Sequence, residues 1–177
     1  CQRDVTSAVR CQRAAIALVA VFVAVNDVQG AVFSVGHANA IGRAGNLRFT
    51  NIMADDVKGW RFQEGYYECR ERGYYYVSFH GLSTHAVPTT LVLHKNSEEV
   101  LAGYGSGTDY STASNSGIVL LGLGDKLSLH VITGDIHESE NSRRNYVTLS
   151  GFKVADSPGG PVGPPGAIGA AGSLGAG

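Results

Sequence analysis

The side chains best suited to bind a ligand lie in one polar stretch, residues 134–145, towards the end of the sequence. This stretch mixes carboxylates with a pair of adjacent arginines. Arg143 and Arg144 can hold carboxylate or phosphate groups through paired N–H donors, because the guanidinium is planar and stays charged. Glu138 and Glu140 add acceptor oxygens beside them. We predict these four residues as the ligand-binding set; the alternative is a solvated loop that binds nothing.

A second polar stretch, residues 103–116, is rich in Ser, Thr, Gly and Tyr and could face polar ligands. It begins Gly-Tyr-Gly-Ser-Gly, which is neither the Gly-x-Ser-x-Gly turn of a serine hydrolase nor a phosphate-binding loop with its lysine. We therefore predict a surface loop, again with plain solvation as the alternative. No enzyme chemistry is indicated here.

The remaining candidates for chemistry are histidines and cysteines. No two histidines have the i, i+4 spacing that a helical zinc site needs, and no cluster of cysteines supports one. Cys1 and Cys11 precede an apolar run, which leaves Cys69 as the only cysteine after it. Because Cys69 lies among aromatic residues, we predict a buried thiol that packs as a small hydrophobe. An interchain bridge or a reactive thiol is the alternative.

The hydrophobic content of the chain is ordinary and its net charge is close to zero. The 177 residues are 44% hydrophobic, the formal net charge is −1 and the isoelectric point is about 6.6. The absence of excess positive charge argues against nucleic acid or an anionic membrane as a partner. We expect neither.

The first part of the sequence resembles a secretory signal. Residues 14–25 form an unbroken apolar run that follows Arg3, Arg10 and Arg13. A helix of that length spans only about 18 Å, against about 30 Å for the hydrocarbon core, so we expect no membrane span. We predict a signal peptide over residues 1–30 and a secreted protein, with a buried core segment as the alternative. Since the chain opens with Cys1, we expect the sequence to be incomplete here.

Glycine recurs at every third position from Gly160 to Gly175. Only glycine fits the crowded axis of a collagen triple helix, so this period predicts a collagen-like tract. We assign residues 156–177 to a linker and this tract, with a flexible glycine-rich linker as the alternative.

Between the two ends, short strand-like segments alternate with turn residues, and helix signals are nearly absent. The spacing predicts one all-β domain over residues 31–155, an antiparallel sandwich or jelly roll. The segments that favour strands are 31–35, 47–50, 74–79, 89–94, 100–101, 118–121, 127–131 and 147–154.

Residues 65–80, Gly-Tyr-Tyr-Glu-Cys-Arg-Glu-Arg-Gly-Tyr-Tyr-Tyr-Val-Ser-Phe-His, resemble the signature of the C1q domain family. The resemblance continues in Leu-His-Lys-Asn at 93–96, in Ala-Ser-Asn-Ser-Gly at 113–117, and in Ser-Gly-Phe at 150–152. It implies a ten-stranded jelly roll that forms trimers. The collagen-like tract agrees with this, although family members commonly place collagen before the domain and here it follows.

The resemblance does not extend to a calcium site. In relatives that bind calcium near the trimer apex, an Asp follows a Tyr upstream of the signature, and the corresponding pair here is Trp60-Arg61. Calcium takes about six to eight oxygen ligands, and an arginine supplies none. We expect no cofactor and no metal.

The resemblance implies a secreted, non-enzymatic recognition protein. We predict that it binds carbohydrate or protein ligands as a homotrimer, in innate-immune pattern recognition. Two alternatives remain open: a structural extracellular component whose collagen-like chains this domain trimerises, and a signalling ligand for a cell-surface receptor.

Overall fold

The computed structural model describes residues 30–39 and 45–157, which form strands, turns and bends and no helix. Accordingly, no helix in these ranges is long and apolar enough to cross a membrane. The predicted signal peptide, 1–30, and the predicted collagen-like tract, 156–177, lie outside the described residues except for Gly30, Asp156 and Ser157.

Strands of two to ten residues make up most of the described chain. In chain order they are β1 Val32–Asn39, β2 Gly45–Asn46, β3 Arg48–Asp55, β4 Trp60–Arg61, β5 Tyr66–Glu68, β6 Gly73–Leu82, β7 Thr89–Lys95, β8 Glu98–Gly105, β9 Thr112–Leu121, β10 Lys126–Thr133 and β11 Thr148–Ala155.

These strands form two antiparallel sheets. The five-stranded sheet has the order β3-β1-β11-β6-β9. The six-stranded sheet has β4-β5-β10-β7-β8 in order, with β2 paired to β10. Most neighbours within a sheet are distant in sequence, as expected for a jelly roll, in which the chain crosses repeatedly between two sheets.

Alternation along each strand decides which side chains enter the core between the sheets. On β6, Tyr75, Val77 and Phe79 are completely buried, whereas the residues between them are partly exposed. Across the core, Phe33 of β1 stacks on Tyr67 of β5 with 4.0 Å between ring centroids. Each fully buried side chain of this size stabilises the fold by about 2 kcal/mol.

The predicted all-β antiparallel sandwich is confirmed, and each predicted strand segment overlaps an observed strand. The count differs: the described residues hold eleven strands where ten were predicted. β2 and β4 have only two residues each, too few to leave an alternating pattern in the sequence.

The prediction of a loop over residues 103–116 is wrong for most of its length. β8 continues to Gly105 and β9 begins at Thr112, so only 106–111 is a loop. Glycine here permits a close approach of strands, because a Cβ on Gly103 would lie 2.7 Å from the backbone nitrogen of Ser114.

Candidate functional site at the apex loops

Three loops of the described part of the chain meet at one end of the sandwich, which we call the apex: residues 83–88, 106–111 and 134–147. Ser83, at the start of the first loop, connects it to the other two loops through backbone and side-chain contacts. Its N–H donates to the carbonyl of Ser111 at 2.8 Å, and its hydroxyl accepts the Ser111 N–H at 2.9 Å. Ser83 also forms an isolated β-bridge with Ile136. Because Ser83 is completely buried, solvent does not compete for these bonds.

A second join lies beside the first. The buried Thr89 hydroxyl contacts both the carbonyl oxygen and the N–H of Asp135, at 2.8 and 3.2 Å. Gly134 precedes this contact with a φ of 79°. A Cβ there would lie 2.2 Å from the carbonyl oxygen of Pro88, so a side chain is excluded by both space and conformation. Buried hydrogen bonds therefore hold the loops of the apex together, so they do not behave as independent loops.

Glu138 fixes the course of the longest loop. Its Oε1 accepts the backbone N–H groups of Ser139 and Tyr146, both at 2.9 Å. Its Oε2 accepts those of Ala38 and Val147, both at 3.1 Å. Four backbone donors use most of the acceptor capacity of one carboxylate, and its side chain is only 9% exposed. Glu138 thus ties the loop to β1 and to itself.

An asparagine holds the far side of the same loop. The Oδ1 of Asn145 accepts a hydrogen bond from Asn51 Nδ2 on β3 at 2.9 Å. The Asn145 side chain lies directly over Gly36 of β1, where a Cβ would come within 2.6 Å of it. Asn145 therefore holds the loop against both β1 and β3.

The other predicted site residues lie at the exposed tip. Arg143, Arg144 and Glu140 are all exposed, on a turn in which the Arg144 N–H donates to the carbonyl of Asn141 at 2.9 Å. Beside this turn is an open concavity of about 390 Å³, lined by His137, Glu138, Ser139, Glu140, Asn141, Arg144 and Tyr146. Three of the four predicted residues therefore surround one concavity, and Arg143 lies outside its lining.

Sequence reasoning missed a line of rings across the apex, which we call the aromatic row: His85, Tyr110, His137 and Tyr146. Successive ring centroids are 5.4, 5.0 and 5.9 Å apart. The row takes rings from all three loops. Its members are far apart in the sequence, so no local pattern could have identified them.

Cys69 is a free, buried thiol, as predicted. Its Sγ contacts the carbonyl of Glu71 at 3.0 Å, and burial raises the pKa of the thiol. The buried, protonated form is a weak nucleophile, which favours the packing role over the reactive one.

Two histidines stack on the outer side of the six-stranded sheet. The rings of His94 and His130 are 4.1 Å apart, and Ser128 Oγ lies 2.8 Å from Nε2 of His130. Burial, and then the proximity of His94, lower the pKa of His130. In the described part of the chain, no group of three or more His, Cys, Asp or Glu side chains could hold a metal ion.

The outer side of the five-stranded sheet, which we call the sheet face, is apolar over much of its area. One register line across four strands joins Val32, Phe152, Tyr76 and Ile118. Phe152 is 47% and Ile118 is 59% exposed. The next line consists of four serines, Ser34, Ser150, Ser78 and Ser116. An exposed apolar area on an ordered sheet marks a contact surface.

His80 lies at the end of the signature-like segment. It is exposed on the sheet face, two positions beyond Ser78 on β6. The alternation of β6 places it outward, so it takes no part in the core.

Two antiparallel sheets, with neighbours that are mostly distant in sequence, define this part of the chain as an all-β jelly-roll domain. The chain belongs to the C1q domain family, whose model matches residues 32–154. Proteins with C1q domains are generally extracellular. The comparison with curated protein sequences gives no match.

Solved structures show the same fold. The globular domain of zebrafish complement 1qA protein is 22% identical, with a TM-score of 0.58, over 72% of this chain and 99% of that one. Murine APRIL, in its crystal structure at pH 5.0, is 13% identical with a TM-score of 0.58, over 71% of this chain and 99% of that one.

Proposed function

We propose that this chain is a secreted recognition protein of innate-immune type, which binds carbohydrate or protein ligands at its apex as a homotrimer. Members of the family form trimers and bind ligands. The observation that carries the proposal is the apex itself, where a hydrogen-bonded base presents Arg143, Arg144 and Glu140 to solvent. Function on β-scaffolds usually lies on such loops.

The sheet face supports the trimer. A monomer in water gains nothing from exposing Ile118, Phe152 and Tyr76 in one line, whereas another copy of the chain would bury them. The serine line beside them offers small side chains that allow close approach. The collagen-like period supports the same state, because a collagen helix needs three chains.

Trimerisation also explains how binding sites of modest affinity could suffice for recognition. Three apices joined in one particle raise the overall affinity through effective concentration, without any new contact. The predicted signal peptide, 1–30, supports secretion, and the collagen-like tract within 156–177 would join trimers to a stalk.

The test is a binding screen of the purified protein against immobilised glycans and bacterial cells. We expect the double variant Arg143→Ala/Arg144→Ala to lose about tenfold in affinity for its best target, because exposed charged contacts are individually modest. Lys58→Ala/Arg70→Ala removes the same charge at the opposite end of the sandwich and should bind normally. Equal binding by both variants contradicts the role of the two arginines, and binding to no target contradicts the recognition proposal.

A further inference from the structure

We propose that the aromatic row is a saccharide-binding surface, on which sugar rings pack against His85, Tyr110, His137 and Tyr146. The inference rests on the proposed recognition function and names its ligand class and a set of residues beyond the arginines. Two tyrosine rings of the row are exposed although the fold does not require it. Tyr110 is 51% and Tyr146 is 37% exposed, so neither ring is required to fill the core.

The geometry of the row suits a chain of sugar rings. Its successive centroid distances, from 5.0 to 5.9 Å, make a continuous aromatic path longer than any single ring. One side of a pyranose ring presents C–H groups of partial positive charge. Such groups are attracted to the electron-rich face of an aromatic ring, as the positive edge of a second aromatic ring is.

The polar side chains around the row suit hydroxyl groups. Asp109 lies 3.4 Å from His85 at one end of the row. Glu140, Asn141 and Arg144 line the concavity next to Tyr146 at the other end. Carboxylates accept, the guanidinium donates and the amide does both, which matches sugar hydroxyls that donate and accept in turn.

The same lining argues against a protein partner at this site. Protein interfaces are centred on buried anchor side chains, which need apolar pockets. Among the residues that the structure describes, the lining of the concavity contains no aliphatic side chain, only two aromatic rings among charged and polar groups. Exposed aromatic rings bordered by polar groups offer more to a sugar than to an aliphatic or aromatic anchor.

The row is also preorganised. Ser83 and Ser111 join two of its loops, and the N–H of His137 donates to the carbonyl of Leu82 at 2.8 Å. Glu138 holds the loop on either side of Tyr146. Rings that are already fixed lose little conformational entropy on binding, so a ligand that makes only modest contacts can be held.

The experiment is isothermal titration calorimetry of the full chain with laminarihexaose, chitohexaose and mannohexaose. We expect at least one of these sugars to bind, and Tyr110→Ala and Tyr146→Ala each to weaken it by about tenfold. Tyr110→Phe keeps the ring and should bind close to normally. Tyr104→Ala removes a still more exposed tyrosine on β8, outside the row, and serves as the control.

The outcomes separate this inference from the proposed function. If the sugars bind the alanine variants as well as the parent, or bind neither, the row is not a saccharide site. Recognition through Arg143 and Arg144 in the bacterial screen would still stand in that case. If a phage-displayed peptide library instead yields peptides that need Tyr110 and Tyr146, the surface serves a protein partner and the inference is overturned.

Discussion

The apex and the sheet face are both exposed surfaces of one sandwich, yet they are built in opposite ways. At the apex, buried hydroxyls and one carboxylate satisfy loop backbone groups, and polar side chains and rings project outward. On the sheet face, regular hydrogen bonds between neighbouring strands satisfy the backbone N–H and C=O groups. The same regular pairing aligns apolar and small side chains in lines across the strands.

The difference indicates what each region can bind. A regular strand repeats one spacing, so the sheet face presents an extended surface that another flat surface, such as a second copy, can match. Loops with individual hydrogen bonds can place single groups at any angle, which a small or irregular ligand needs. Two variants test this contrast, and a pH titration tests a group that lies outside both regions.

The largest effect is expected on the sheet face. Ile118→Asp/Phe152→Asp places two charges where a neighbouring copy would bury apolar groups in the proposed trimer, which should weaken its association by about a hundredfold. Ile132→Asp, on the outer side of the other sheet, is the control and should remain trimeric. Sedimentation velocity measures the outcome. An unchanged trimer in the double variant would place the interface elsewhere.

A smaller effect is expected at the base of the apex. Glu138→Gln replaces one acceptor oxygen with an N–H₂ that faces backbone donors, which should lower the free energy of unfolding by about 2 kcal/mol. Glu140→Gln, two residues along and exposed, should change it little. Urea unfolding compares the two. Equal stability would mean that the loop does not depend on this carboxylate.

The smallest effect is expected outside both regions, at the stacked histidine pair. Because the pKa of His130 is lowered in the folded state, the unfolded chain binds its proton more readily. The contribution of His130 to stability is therefore full above its ordinary value of 6.5 and is lost as the pH falls towards the folded pKa. His130→Asn should flatten the decline in melting temperature between pH 7 and pH 5.

His85→Asn is the matched control for this titration, since the His85 side chain is 63% exposed. It should keep the slope of the parent. If the two variants have the same slope, the histidine pair does not set the pH dependence of stability.

Much of the fold could be predicted because its signals are local. Alternation along 74–79 and 127–131 survives in β6 and β10, and turn residues mark most strand ends. The motif over residues 65–80 is sufficient to indicate the family. The two incorrect predictions have physical reasons. Strands of two residues are too short to show an alternating pattern. The glycines of β8 suggested a loop, whereas they allow the strand to pack closely against β9.

The candidate site was predictable only in part. Arg143, Arg144 and Glu140 lie on an exposed tip, as a charged stretch suggests. Glu138 belongs to the same stretch, but its carboxylate is taken up by backbone donors from β1 and from its own loop. Nothing in the sequence separates the two glutamates, because the distinction lies in which backbone groups surround them.

The all-β domain, the family and the polar stretch near the end of the domain can all be recognised in the amino-acid sequence. Each depends on residue types at short, regular spacing. The aromatic row and the apolar line of the sheet face, in contrast, exist only in the folded chain. Both are assembled across loops or strands that the jelly-roll topology brings together from distant parts of the chain, and register between such strands is set by packing of the whole core.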